Sequence, residues 1–459
     1  RNGGLGAEVH LDRVPLKEEG LAPWEIWVSE SQERMMLAVP PENVDRVLKL
    51  CDLYDVLAAP IGRAVPGNRC RVLYRGEPVL EMDLEFYTGG PEYQRPYEIK
   101  VAKPAENYPR EPDDYAATLL RVLASPNVAS KELVVRQYDH EVRASTVIKP
   151  LHGKIGKSSH GDAAVVRPLV DSYRALGIAC ASTPQFTAID AFRGGATAVD
   201  EVCRNLAAVG ARPHSLTNCL NFGNPEKPDR LGALREAVRG IGATAQGLGL
   251  PIPSGNVSLY NESPLGPVPP TPVVMGVGIV EDFRRCVTSD LKGKGDAIFL
   301  IGETRQEMGG SEYFRVARGT SGVAPDVDVG ALRGGMDGLL AGIDAGDVAA
   351  CHDLSQGGLA VAVAEMCLGG DLGADLDLGP TDPLRLDFLL FSETNARWLV
   401  EVKRGREDAF AGRFPVPASR IGHVTDDTLR IHRGRESLEV PVGELRDVWA
   451  NALAREVVR

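Results

Sequence analysis

The sequence predicts a mixed α/β protein, with some α+β character, built around an internal duplication. Three observations carry this. Blocks of sequence recur in the same order near the two ends of the chain, and a strand–helix–strand pattern lies between them. The chain has 459 residues, 43% of them hydrophobic, with 50 glycines and 32 prolines, which exceeds what one core usually organises. Two or three domains are expected.

The duplication comes first. "GGLGAEVHLDRVP" (3–15) matches "GDLGADLDLGPT" (370–381): Leu-Gly-Ala, then acidic and apolar residues in alternation. "SESQERMMLAV" (29–39) matches "SETNARWLVEV" (392–402), and "APIGRAV" (59–65) matches "SRIGHVT" (419–425). In both copies a strand-like run follows the Ser-Glu pair, and "RCRVLYRGEPV" or "TLRIHRGRESLEV" closes the unit. Residues 286–369 have no counterpart before Gly3, so the first copy is cut in its middle. The expectation is the C-terminal part of a longer, duplicated protein.

Between the copies, the proline-containing linker "VAKPAENYPREPDDY" (101–115) leads into a different region, 138–285. "AFRGGATAVDEVCRNLAAVGARP" predicts a helix, with Ala198, Val202, Leu206 and Val209 near the helical period and Gly210 at its C-cap. "HSLTNCLNFGNPEKPDR" reads as a strand ending in a loop. "LGALREAVRGIGATAQGLGL" (231–250) predicts a second helix, its stripe on Leu231, Leu234, Val238, Ile241, Ala245 and Leu248. The run after it leads into "PSGNVSLYNESPLGPVPPTP" (253–272). A right-handed crossover makes the two strands parallel and brings the loops "NFGNP" and "GNVSLYNES" out at one sheet edge, where α/β proteins usually place ligands. Glycine amides and amide side chains there can donate to phosphate, and Asn256 offers a carbonyl oxygen to Mg²⁺. The same residues equally suit two tight turns capped by Asn, and pattern alone leaves both readings open.

A net charge of −12 and a pI near 5.3 argue against a nucleic-acid groove, though small anions can still bind locally. The eight cysteines form no CxxC or Cys/His pairing, which points away from zinc and disulfides and fits reduced thiols in the cytoplasm. No apolar stretch approaches the roughly 20 residues of a membrane span, so no membrane partner is expected.

Taken together, "LTNCLNFGNPEKP" (216–228), "SGNVSLYNES" (254–263), "PTPVVMGVGIVED" (270–282), "GGSEY", "HDLSQGGLA" and "SESQERM" resemble the synthetase subunits of phosphoribosylformylglycinamidine synthase, the PurL family. The resemblance spans essentially the whole chain. It implies tandem aminoimidazole ribonucleotide synthetase-like units, with one N-terminal-type domain flanked by a partial and a complete C-terminal-type domain. Residues 1–137 would be the remainder of the first C-terminal-type domain plus linker, 138–285 the second N-terminal-type (nucleotide-edge) domain, and 286–459 its C-terminal-type domain.

The activity so implied is ATP-dependent carbon–nitrogen ligation in purine biosynthesis. Formylglycinamide ribonucleotide, ATP and ammonia give formylglycinamidine ribonucleotide, ADP and phosphate through an iminophosphate. Ammonia would come from a separate glutaminase subunit, with a small bridging subunit. Residue by residue, Glu30, Ser31 and Gln32 are similar to the family's substrate-contacting triplet, as is Ser258 to a further substrate contact. Gly255 is similar to an ATP-contacting glycine and Asn256 to a Mg²⁺ ligand. Asn218 occupies an ATP-contacting position that is Asp in some relatives; Asn keeps an acceptor oxygen and loses the charge. The family's catalytic histidines belong to an "ESHNHPS"-like segment that does not occur here, and "ASTPQFTAIDAFRGG" (181–195) has no histidine for proton transfer. No catalytic residue is therefore assigned, and the chain alone is expected to be incomplete. The alternative is a non-catalytic nucleotide-binding scaffold half that completes a partner's active site.

Other motifs carry plainer readings. His352 and Asp353, beside a Gly pair, suit a general base, but Asp353 or Ser355 as an N-cap is the commoner use of such residues. Ser392, Glu393 and Thr394 suit either a degenerate or auxiliary nucleotide site or a strand start. His140 is expected in interdomain packing. "GKIGKSSHGDAAVVRP" (153–168) lacks P-loop spacing and is expected to be a mobile loop before a strand.

Overall fold

A computed structural model describes residues 3–90, 92–102, 104–379 and 383–457. The chain divides into two compact units, Arg1–Gln94 and Arg95–Arg459.

The first unit contains β1 (Gly6–His10), α1 (Pro23–Val28), α2 (Val44–Leu53), β2 (Gly62–Val65), β3 (Arg69–Tyr74), β4 (Glu77–Asp83) and α3 (Leu84–Thr88). Its sheet runs β2-β1-β3-β4 around a small core of Leu11, Ile26, Cys70 and Val72.

The second unit opens with α4 (Tyr115–Leu123) and α5 (Glu132–Val135). There follow β5 (Thr146–Ile148), the hairpin β6 (Leu151–His152) and β7 (Ser159–His160), β8 (Ala164–Val166), β9 (Ala175–Ser182), α6 (Pro184–Ile189), α7 (Ala191–Ala208), β10 (Arg212–Asn221), α8 (Pro228–Leu248), β11 (Ser254–Ser258), the hairpin β12 (Glu262–Ser263) and β13 (Gly266–Pro267), and β14 (Thr271–Val280). Six of these strands form one sheet, β11-β10-β14-β9-β8-β5. The remainder is β15 (Ala297–Ile301), α9 (Glu312–Ala317), α10 (Val329–Asp344), β16 (Val348–Asp353), α11 (Gly358–Gly370), β17 (Gly373–Asp377), α12 (Leu386–Phe391), β18 (Trp398–Val402), α13 (Glu407–Ala411), β19 (Ala418–Thr425), β20 (Thr428–Arg433), β21 (Glu436–Pro441) and α14 (Val442–Val457). Its seven-stranded sheet runs β16-β18-β15-β19-β17-β20-β21. Residues of α7, α8 and α10 share one core with both sheets, and α4, α11, α12 and α14 cover the other face of the larger sheet. Burial on both faces explains the near-continuous apolar run of β18.

The duplication is visible in register. In the first unit β1 pairs antiparallel with β2 and parallel with β3, and β17 pairs in the same way with β19 and β20. Gly6 faces Val65 as Gly373 faces Thr425, and Val9 faces Gly62 as Leu376 faces Gly422. A Cβ on Gly62 would sit 2.2 Å from the Glu8 carbonyl oxygen, and one on Gly422 2.1 Å from that of Asp375. The matched glycines are therefore demanded by backbone approach.

Three expectations need correction. The run after the Ser-Glu pair forms a strand only in the second copy. There β18 lies between β15 and β16, both from the stretch without a first-copy counterpart, whereas residues 35–39 have no strand assignment, with Met35 at 91% exposure. A strand without neighbours leaves its backbone polar groups unpaired. On α8 the buried face is Gly232, Glu236, Ala237, Gly240, Ile241, Thr244 and Ala245, and Val238 is exposed. Close packing on α7 selects small residues: a Cβ on Gly240 would fall 2.0 Å from the Phe192 carbonyl oxygen, and one on Gly195 2.2 Å from that of Ala237. Residues 153–168 are not a free loop. Their hairpin is held by the Lys154 amide donating to the Gly369 carbonyl at 3.0 Å and by Lys157 pairing with Asp371 at 3.1 Å.

Candidate functional site

As expected, the two strands of the β10–α8–β11 crossover are parallel, with β11 at the edge of the six-stranded sheet. "SGNVS" is thus a strand, Ser254–Ser258, where a loop was expected, because it pairs along its length with β10. The pairing sets Asn218 opposite Gly255, Cys219 opposite Asn256 and Asn221 opposite Ser258.

Gly255 leaves room for its neighbour. A Cβ there would lie 2.5 Å from Asn218 Oδ1, so the bare backbone lets the Asn218 amide lie against β11. Asn256 is exposed and donates from Nδ2 to Cys219 Sγ at 3.4 Å. Beyond the strands, the Phe222 amide donates to the Ser258 carbonyl at 3.0 Å and the Tyr260 amide to that of Gly223 at 3.2 Å. Glu262 accepts from the Asn224 amide at 3.0 Å and pairs with Lys227 at 2.5 Å. Those bonds hold its carboxyl below the ordinary range. Asn218, Gly255, Asn256 and Ser258 thus share one strand pair.

Glu30, Ser31 and Gln32 belong to the first unit, where all three are exposed just after the end of α1. Ser31 shares a hydroxyl contact with Ser29 at 3.0 Å, and Arg34 Nε donates to the Ser31 carbonyl at 3.0 Å. Their second-copy counterparts are buried. Glu393 Oε1 accepts from the Gly357 amide, the N-cap of α11, and from the Glu312 amide in the first turn of α9, each at 2.8 Å. Burial nevertheless pushes its carboxyl up to about 8. Ser392 closes α12 and β18 begins only at Trp398, so the triplet is not a strand start.

A second polar locus gathers His352 and Asp353, singled out in the sequence, with Asp162, Asn205 and Glu365, which were not. A cavity of about 180 Å³ is lined by Asp162, Asn205, His352, Asp353 and Glu365, among others. His352 Nδ1 faces Asp162 Oδ1 at 2.7 Å and its Nε2 faces Glu365 Oε2 at 3.1 Å. Burial alone would lower the imidazole, but the two carboxylates raise it well above its ordinary value. Glu365 is drawn down to about 2: burial opposes this, and the bonds from His160 and His352 prevail. The Lys131 amide donates to His160 Nε2 at 2.8 Å, which leaves His160 Nδ1 to carry the proton toward Glu365. Asp353 Oδ2 pairs with buried Arg204 at 2.6 Å, so Asp353 caps no helix. Asp162, His352 and Asp353 form the one cluster of three or more His, Cys, Asp or Glu side chains placed to hold a metal ion among the described residues. The sequence signal was absent because Asp162 and His352 stand 190 residues apart. His140 bonds locally, its Nδ1 3.0 Å from the Tyr138 carbonyl oxygen.

Comparisons with known proteins bear on the family and its domains. The pattern of the family "AIR synthase related protein, N-terminal domain" matches residues 160–280, and that of "AIR synthase related protein, C-terminal domain" matches twice, at 1–75 and 293–433. The repeated match coincides with the duplicated register. The chain is 37% identical over 457 residues to phosphoribosylformylglycinamidine synthase subunit PurL of Thermoplasma acidophilum, covering 99% of this chain and 60% of that one. Solved structures of T. maritima PurL complexed with ATP (25% identity, TM-score 0.61) and with FGAR (26%, TM-score 0.62) each cover 92% of this chain, and 60% and 58% of theirs. The chain therefore spans about 60% of the length of these relatives. Among the described residues no helix is long and apolar enough to cross a membrane.

Proposed function

Because the chain belongs to the AIR synthase related family, within its PurL branch, we propose that it supplies one wall of an ATP-dependent ligase site. The reaction is conversion of formylglycinamide ribonucleotide and ammonia to formylglycinamidine ribonucleotide, with ATP split to ADP and phosphate through an iminophosphate. In this reading Asn218 and Gly255 contact ATP, Asn256 is a Mg²⁺ ligand and Ser258 contacts the ribonucleotide; Glu30, Ser31 and Gln32, in the first unit, are assigned as substrate contacts by the family resemblance alone. Mg²⁺, when bound, neutralises charge on the phosphates being transferred. This chain's own residues bind and orient, and none of them is assigned the proton transfers. Residues 1–137, 138–285 and 286–459 take the domain roles expected from the resemblance. Ammonia would come from a glutaminase subunit joined through a small bridging subunit, in keeping with the relatives' designation as a subunit.

The observation that carries the reading is the β10–β11 register, which sets Asn218 beside Gly255 and ends the two strands together at Asn221 and Ser258. Calorimetric titration of the full-length protein with ATP at saturating and limiting Mg²⁺ tests it. Asn256→Ala should weaken ATP binding at limiting Mg²⁺ far more than at saturation. Equal effects at both would remove the metal role.

A further inference from the structure

We infer that Arg34 is a positioning residue, whose guanidinium closes the loop 29–34 into the shape that offers Glu30, Ser31 and Gln32 to the ribonucleotide. The inference rests on the assignment of that triplet to the ribonucleotide above. Arg34 Nε donates to the Ser31 carbonyl at 3.0 Å and its Nη2 to the Ser29 carbonyl at 2.5 Å, so one side chain ties the loop back on itself. The duplication repeats this device. "SETNAR" (392–397) matches "SESQER" (29–34), and there Arg397 Nε donates to the Thr394 carbonyl at 2.9 Å and its Nη2 to the Ser392 carbonyl at 2.5 Å. The hydroxyl oxygens at the matched positions also meet alike, Ser29 with Ser31 and Ser392 with Thr394, each pair at 3.0 Å. The residue before each arginine is left-handed, Glu33 at φ 60° and Ala396 at φ 56°.

The two loops hold this geometry in opposite surroundings. Residues 392–397 are all buried, at most 7% exposed, whereas residues 30–34 are all exposed. Burial is therefore not the common cause; what the copies share is the arginine, its two acceptor carbonyls and the left-handed residue. In the buried copy Arg397 Nη1 adds a bond to Thr304 Oγ1 at 2.8 Å, from the stretch that has no first-copy counterpart, and Arg34 keeps the clasp without it. A guanidinium suits the task because its planar fork serves two acceptors at once with separate hydrogens, whereas an ammonium is a point charge on a flexible stem. A loop shaped before the ligand arrives spares binding the cost of ordering it. Arg34 touches no substrate in this account. It acts through the residues it encloses.

The test uses the full-length protein, with formylglycinamide ribonucleotide and ATP titrated separately by calorimetry. Arg34→Lys keeps the charge and loses the fork; it should weaken ribonucleotide binding by about fivefold or more and leave ATP binding within about threefold of wild type. Glu33→Gly and Glu33→Val remove the same carboxylate, but glycine is at ease at φ 60° and a β-branched residue is an outlier there. The glycine variant should therefore bind the ribonucleotide within about threefold of wild type, and the valine variant should lose about as much as Arg34→Lys. If Arg34→Lys binds as wild type does, if the valine variant matches the glycine variant, or if both ligands weaken in parallel, Arg34 acts by charge or merely braces the fold, and this inference alone is overturned. Glu30→Ala and Gln32→Ala combined should weaken ribonucleotide binding. If that double variant binds as wild type does, or wild type does not bind at all, the functional reading of the triplet fails and takes this inference with it.

Discussion

Replacing Gly255 by Ala separates a binding role from a folding role at the β10–β11 edge. The added Cβ would meet Asn218 Oδ1 at 2.5 Å, Cγ at 3.0 Å and Nδ2 at 3.2 Å, all side-chain atoms, so the Asn218 amide must turn away while the strand pairing stays. Gly255 itself is exposed and not in the left-handed region, where Ala would be strained. Turning Asn218 costs about 0.5–1.5 kcal/mol, and losing its hydrogen bond to a nucleotide another 0.5–1.5 kcal/mol or so. The first cost is present in free and bound protein alike and falls on folding stability, so the second alone sets the change in the ATP dissociation constant, roughly 2- to 13-fold. Folding stability should stay within about 1 kcal/mol, because Ala also narrows the unfolded ensemble. Calorimetric ATP titration beside denaturant unfolding of the same variant reads both quantities. Unchanged ATP affinity would refute the assignment of this pair to the nucleotide. Loss of more than about 3 kcal/mol of stability would show that the backbone, rather than Asn218, absorbs the clash.

Three further perturbations address the fold around the site. Arg204→Met removes the cation that pairs with Asp200 at 2.5 Å and Asp353 at 2.6 Å, both buried, and should cost about 3–5 kcal/mol in denaturant unfolding; a loss below about 1 kcal/mol would show that the carboxylates find other partners. Gly422→Ala puts a Cβ 2.1 Å from the Asp375 carbonyl oxygen, where only backbone movement relieves it, and should destabilise by about 1–3 kcal/mol, with wild-type stability refuting the close approach. Glu393→Gln tests the carboxyl raised to about 8: the folded state holds that proton more tightly than the unfolded chain, whose carboxyl titrates near 4.5, so the stability it contributes is full below 4.5 and lost as pH rises toward 8. The variant should therefore gain on wild type from pH 5 to 8 and level off above. Equal pH slopes would show that Glu393 is ionised when folded.

The duplication was legible because it is written in local pattern. Gly6, Gly62 and their partners Gly373 and Gly422 are fixed by strand register and close backbone approach, which any copy of the unit must preserve. The crossover at 212–258 was legible for a related reason, since period and turn chemistry select strand, helix and strand, and handedness then leaves one arrangement. Packing partners were not legible. The stripe on α8 failed at Val238 because the face against α7 is chosen by glycine-to-backbone approach and not by hydrophobicity, and residues 35–39 read as a strand although nothing in the described first unit pairs with them. The same limit hid the cavity of Asp162, His352 and Glu365. His352 was visible as a candidate base, but Asp162 and Glu365 were not, and only folding brings carboxylates from a loop and a helix to both nitrogens of one imidazole. Asn261 lies between these cases. Its position in "SLYNES" was visible, but that its NH₂ group ties the two strand ends depends on two carbonyl oxygens, those of Phe222 and Ser258, that those ends place together. Sequence pattern therefore identifies residue types suited to a ligand edge, whereas the direction of each hydrogen bond there, and with it the chemistry offered to a ligand, is set by tertiary neighbours.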